Sequence, residues 1–185
     1  MKKLQDPRVI RTKTMLQQAL LELLQHTPLK QIKISHLTVQ ATVSRVTFYQ
    51  HYRDISHMVD DMIQDMLGKV NLILRYAKHQ PNLKVIEELL QHIEQHTVFY
   101  RYFLVQHPAL HFRARFLQLI VQHLENTREN SYALQCGIQK EVLIWRDASA
   151  LVGTVEVWLT HDCPYSASFL AKQFHLMHHL EKQTS

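Results

Sequence analysis

The chain has 185 residues, 46% apolar and 20% charged, a balance that supports a folded globular body and excludes disorder as its main state. Three Gly and five Pro are too few for the turns of an all-β chain, and without GxGxxG or GxxxxGKS/T the glycine-rich phosphate loops of nucleotide-binding enzymes are excluded. The net charge of +5 is uneven: residues 1–57 hold nine Lys/Arg against three acids, whereas the other 128 hold 12 against 13, so all the excess lies in the first third. A polyanion-binding module joined to an electrically neutral body is expected.

Taken in chain order, Asp6-Pro7 starts a helix, with Asp as N-cap and Pro at the first helical position. Ile10, Met15/Leu16, Ala19/Leu20 and Leu23/Leu24 continue it at three- and four-residue steps, and Thr27-Pro28 ends it near His26. Ser35 is the expected cap of a short second helix, Thr42-Val43 a tight connection, and Ser44 the cap of a third short helix reaching about His51. Asp54 caps a long fourth helix whose stripe runs from Ile55 through Met58/Val59, Met62/Ile63, Met66/Leu67 and Val70 to Ala77, ending before Pro81. Asn82 opens a fifth, and the aromatic segment 98–104 ends at His107-Pro108. Helices over about 109–130, 143–161 and 166–181 complete the chain. Alternating strand patterns and repeats are lacking, so the fold class is all-α with about nine helices. The expected domains are a helix-turn-helix module, 1–53, and a helical ligand-binding and dimerisation body, 54–185.

A short helix, a tight turn and a second short helix over 35–51 form a helix-turn-helix, which presents its second helix to the DNA major groove. There Arg45, Val46, Thr47, Tyr49, Gln50 and His51 mix polar, apolar and aromatic tips without an acid, while Phe48 and Tyr52 face back into the core. Arg grips guanine edges bidentately, a Thr or Val methyl packs on thymine, and Ser, Thr, Tyr, His and Lys suit phosphate oxygens. The run Val43-Ser44-Arg45-Val46-Thr47-Phe48-Tyr49-Gln50-His51-Tyr52 closely resembles the Val-Ser-x-x-Thr-Phe-Tyr-x-His-Phe/Tyr signature of the tetracycline-repressor (TetR) family of transcriptional regulators, within a match over about residues 8–67. The resemblance implies a three-helix DNA-binding domain linked by helix 4 to a larger helical domain. By position, it makes Arg45 and Thr47 base readers, Tyr49 and His51 phosphate ligands, and Ser44 the cap of the recognition helix. The resemblance also implies that Lys33 and Ser35 meet the DNA backbone across the groove. Two departures stand out: the family's turn glycine is Thr42, and its phosphate-binding lysine is Ile55, with Arg53 as a partial substitute.

The closing stretch Ala150–Tyr165, with Gly153, Trp158-Leu159 and Pro164-Tyr165, more weakly resembles a branch of that family whose members include regulators of dihydroxyacetone metabolism, one type a co-activator. The eighth helix is apolar on two sides: Ala148, Leu151/Val152, Val155 and Trp158/Leu159 form one stripe, Ala150, Gly153 and Val157 another. Ala150, Gly153, Val157 and Trp158, with Phe169, Phe174 and Met177 of the last helix, are the expected homodimer interface, a four-helix arrangement with the symmetry mate. A small apolar or aromatic effector is expected among helices 4 to 8, lined by Met62, Met66, Tyr76, Phe99 and Tyr102, and by Phe103, Phe112, Phe116 and Trp145.

Two cysteines, Cys136 and Cys163, without CxxC spacing suit a reducing compartment; with no leader-like or 18-residue apolar stretch, a cytoplasmic protein without membrane attachment is expected. The fourteen histidines include i,i+4 pairs, His107/His111 and His175/His179, but lack H-E-x-x-H, and they read as solvated surface with no bound metal or other cofactor. Neither a convergent nucleophile and base nor a carboxylate pair points to an enzyme. The expected function is a sequence-specific regulator, more a repressor than an activator, that binds a palindromic operator in double-stranded DNA as a dimer and is released by a small molecule. The alternative is a co-activator or protein-interaction co-regulator of the same fold with weak DNA binding.

Overall fold

The computed structural model describes residues 6–76, 82–107, 111–127 and 137–183. Ala77, Pro81, Pro108 and Cys136 lie outside the described residues. Among the described residues the chain forms nine α-helices and no strand. They are α1 (Pro7–Leu24), α2 (Ile34–Gln40), α3 (Arg45–His51), α4 (Ile55–Tyr76), α5 (Asn82–Gln95), α6 (Thr97–Tyr100), α7 (Phe112–Thr127), α8 (Lys140–Thr160) and α9 (Ala167–Gln183). A single 3-10 turn, Leu29–Gln31, links α1 to α2, and a π-helical turn, Arg101–Gln106, continues α6.

Two compact units result, Met1–Met66 and Leu67–Ser185, and α4 contributes its first half to one and its second half to the other. In the first unit the side chain of Asp6 accepts from the Arg8 amide at 2.9 Å, so the expected start of α1 is realised. Leu16, Ala19, Leu20 and Leu24 are buried on its inner face, whereas Ile10 is half exposed. α2 packs on α1, and Leu37 and Ala41 of the second helix, Phe48 and Tyr52, and Met58, Val59, Met62 and Ile63 of α4 are buried as well. Lys13 ties the assembly together, its Nζ 2.8 Å from Asp61 Oδ2 and 5.2 Å from the centre of the Tyr52 ring.

In the second unit α5 packs on α9, and α7 packs on α8. The core is aromatic: Phe99, Tyr100, Phe103, Phe112 and Phe116 are all essentially without exposure, in edge-to-face and tilted pairs with centroids 4.5–6.4 Å apart. The aromatic segment 98–104 forms an α-helical turn followed by a wider π turn that brings Tyr102, Phe103 and Leu104 all inside. Two boundaries differ from expectation: α7 begins at Phe112, after His111 at φ +56°, and α8 begins at Lys140 instead of 143.

Candidate nucleic-acid interface

The turn between α2 and α3 is built from backbone bonds. The Val43 amide donates to the Thr38 carbonyl (3.0 Å) and the Thr42 amide to the Val39 carbonyl (3.1 Å), the paired bonds of a Schellman motif. That motif needs a left-handed residue after the cap, and Thr42 takes it with φ +54°. A β-branched residue thus stands in the conformation that glycine adopts without strain. The recognition helix α3 starts at once: Ser44 is its N-cap, and its Oγ accepts from the Thr47 amide at 3.0 Å. The Ser44 and Thr47 hydroxyls also bond each other at 2.8 Å, which commits the Thr47 oxygen locally and leaves its methyl for apolar contact.

On α3, Phe48 is fully buried and holds the helix from behind, with Tyr52 beside it at a centroid distance of 5.8 Å. The opposite face carries exposed Arg45, Val46, Tyr49 and Gln50, with Thr47 and His51 half-buried. Val46 is 68% and Tyr49 59% exposed. Neither Arg45 nor Lys33 has an ion pair among the described residues, so both cations are available.

Two sequence expectations change here. Ser35 does not cap α2: the cap position is Lys33, without a side-chain bond, and Ser35 sits in the first turn, its carbonyl accepting from the Thr38 hydroxyl at 3.3 Å. Arg53 is exposed, but its Nε lies 3.0 Å from Asp54 Oδ2, so the cation expected to substitute for the lysine missing at Ile55 is partly neutralised. Asp54 is busy on its other side as well, accepting the His57 amide at 2.7 Å as cap of α4. That backbone bond and the Arg53 guanidinium hold its carboxyl below the usual range. A residue absent from the sequence reading is Val39 on α2, 78% exposed, whose signal was an apolar residue off the buried stripe of Leu37 and Ala41.

In the second unit the expected effector residues divide. Phe99, Tyr102, Phe103, Phe112 and Phe116 converge in one aromatic core. Met62 and Met66 are buried on α4 within the first unit. Tyr76, 73% exposed, and Trp145, 59% exposed, stand on the surface and line no part of that core. The Tyr100 hydroxyl, fully buried, has no hydrogen-bond partner, and its phenol is pushed up by burial.

Of the expected interface residues, Trp158 is 3% exposed and its indole N–H donates to the Tyr165 carbonyl at 2.9 Å, so it serves its own protomer's core. Ala150, Val157, Phe169 and Met177 are exposed, and Gly153 and Phe174 half-buried. Val142 and Trp145 on α8 and Leu176 on α9 are further apolar side chains more than half exposed. No group of three or more metal-ligating side chains occurs among the described residues, and no helix among them is long and apolar enough to cross a membrane.

Residues 82–179 match the TetR_C_8 family model, the C-terminal region of transcriptional regulators. The chain belongs to the TetR family of transcriptional regulators. No curated protein matches it in sequence. Among solved structures it is similar to a transcriptional regulator from Aquifex aeolicus VF5 (TM-score 0.70, 15% identity, 91% of this chain and 98% of that one). It is also similar to the dihydroxyacetone kinase operon activator DhaS (TM-score 0.67, 17% identity, 90% and 93%). A third is the regulator FadR from Bacillus subtilis, solved with stearoyl-CoA (TM-score 0.62, 12% identity, 86% and 94%). At these identities the likeness is one of fold.

Proposed function

We propose that this regulator binds a palindromic operator as a homodimer, inserting α3 of each protomer into successive major grooves. The observation that carries the reading is the α3 face itself: unpaired Arg45 with exposed Val46, Tyr49 and Gln50, at the cationic end of the chain. Arg45 and the Thr47 methyl read base edges; Ser44, Tyr49, His51 and, across the groove, Lys33 and Ser35 hold phosphates. Dimerisation uses the uncovered faces of α8 and α9, with Ala150, Gly153, Val157, Phe169, Phe174 and Met177. A Cβ added at Gly153 would touch nothing in its own chain, so its smallness answers no need within the protomer. Two-fold pairing sets recognition helices about 34–36 Å apart, one turn of DNA.

A small apolar or aromatic molecule entering the core around Phe99, Phe103 and Phe112 releases the operator by binding better to a form in which α4 has moved. Support comes from the aromatic surroundings and the unpartnered Tyr100 hydroxyl. The fatty acyl ligand of the FadR structure lends analogy only. A second reading, a co-activator with weak DNA contact, is favoured by Ile55 and by the Arg53–Asp54 pair, which together remove about one phosphate contact. Selection of bound duplexes from a random pool separates the two. The regulator enriches an inverted repeat, and Arg45→Ala loses one position of it while His51→Ala weakens all sequences alike; a co-regulator enriches none. Sedimentation of Val157→Asp tests the interface: a monomer is expected, and an unchanged dimer would refute the assignment.

A further inference from the structure

Of the seven Lys and Arg described between Asp6 and His57, six stand exposed; Lys13 alone is largely covered, with 24% of its side chain exposed. It reaches from α1 to α4, where its Nζ donates to Asp61 Oδ2 at 2.8 Å and stands 5.2 Å from the centre of the Tyr52 ring. Tyr52, fully buried, directly follows the last residue of α3, and its amide donates to the Phe48 carbonyl at 2.9 Å. One ammonium therefore joins α1, α4 and the C-terminal end of the recognition helix, all within the first unit.

The ammonium resolves a conflict of charge. Asp61 and Asp65, one turn apart on α4, both act on Tyr52: burial, then the Asp61 carboxylate and more weakly that of Asp65, push its phenol above the usual range. A half-buried carboxylate beside a ring is unfavourable unless a cation offsets it, and Lys13 does so while lying over the aromatic face. At seven residues α3 is too short to hold its own direction. Its aim depends on the rings behind it, Phe48 at the middle and Tyr52 at the end beside His51. The charge of Lys13 is taken up inside the protein, unlike the exposed charges of Lys33 and Arg45.

We infer that Lys13 is a positioning residue for the recognition helix: it holds Tyr52, and with it the end of α3, against Asp61 of α4, and serves DNA binding without touching DNA. The inference rests on the proposal that α3 reads DNA. Fluorescence anisotropy with a duplex recovered by selection from a random pool tests it, at a temperature where circular dichroism shows every variant folded. Lys13→Met and Asp61→Asn should each weaken binding by roughly threefold to tenfold, the double variant no more than either alone, and Lys13→Arg should restore the parent's affinity.

The dependence on salt separates positioning from contact. Lys13→Met should keep the parent's slope of log affinity against log salt, whereas Lys33→Ala should lower it by about 0.9, one phosphate contact. Parent affinity in folded Lys13→Met, or a slope lowered as in Lys33→Ala, would overturn the inference. The amide resonances of residues 47–51 give a readout without DNA: they should shift in Lys13→Met and in Asp61→Asn, and return in Lys13→Arg. A parent that binds no duplex refutes the DNA reading alone, and unshifted resonances refute the role given to Lys13.

Discussion

The first unit keeps its working side chains and its structural ones on opposite faces of the same short helix. Phe48 and Tyr52 anchor α3, while Arg45, Val46, Tyr49 and Gln50 stand exposed on it. In the second unit the same rings fill the core and surround the proposed effector site: Phe99, Phe103, Phe112 and Phe116 have exposures of 0–1%. Stability and recognition can therefore be changed separately at those exposed positions, whereas in the second unit any change to the site is a change to the fold. That difference suits a switch, since a ligand entering a close-packed core must rearrange it.

Phe112→Ala should cost about 3–5 kcal/mol in denaturant unfolding, because the cavity collapses only partly; a loss under 1 kcal/mol would mean a loose core and no coupling of site to fold. Arg45→Ala should leave unfolding within about 0.5 kcal/mol. It should nevertheless cost about 1–3 kcal/mol of discrimination against the wrong base in competition binding. Ser44→Ala removes the bond to the Thr47 amide and should destabilise the first unit by about 1 kcal/mol, read by its thermal midpoint. Thr42→Gly acts oppositely: freeing the turn from a β-branched left-handed residue should raise stability by about 0.5–1 kcal/mol, with DNA affinity kept.

The smallest effect concerns pH. Burial, with His96 and Lys69 nearby, draws the His92 imidazole down to about 4. The unfolded chain, near 6.5, then binds the proton first, so the second unit should lose stability as pH falls from about 6.5 to 4 and change no further from this group below that. Solvent screening of the half-buried ring keeps the slope shallow. Thermal midpoints of His92→Gln across that window should be flatter than those of the parent.

Legibility in the sequence follows the same divide. Asp6, Ser44 and Asp54 could be placed as caps because a cap bonds an amide two or three residues away, and the turn at Thr42-Val43 is equally local. Phe48 and Tyr52 fell inward because a spacing of four fixes one helix face. Where a competing backbone bond decides, prediction slipped: α2 starts one residue before Ser35, with Lys33 at the cap, since the Lys33 carbonyl already accepts from His36 and Leu37. The π turn after Tyr100 has no local signature; it arises from packing Tyr102, Phe103 and Leu104 against α7 and α8. Trp158 and Val157 are neighbours in sequence and apolar alike, and only the placement of Tyr165 and the flanking helices sends one inside and leaves the other out. Tyr76 and Trp145 misled for the same reason, because a helix's periodicity shows that it has an apolar face but not what covers it.

We propose that two copies of α3 grip duplex DNA through the cationic front of the chain. Titrating the protein with its own promoter fragment and with an unrelated duplex at two salt concentrations tests this grip. The expected result is a steep fall of affinity with salt and a preference for the promoter that Arg45→Ala diminishes. Equal affinity for both duplexes with little salt dependence would contradict it.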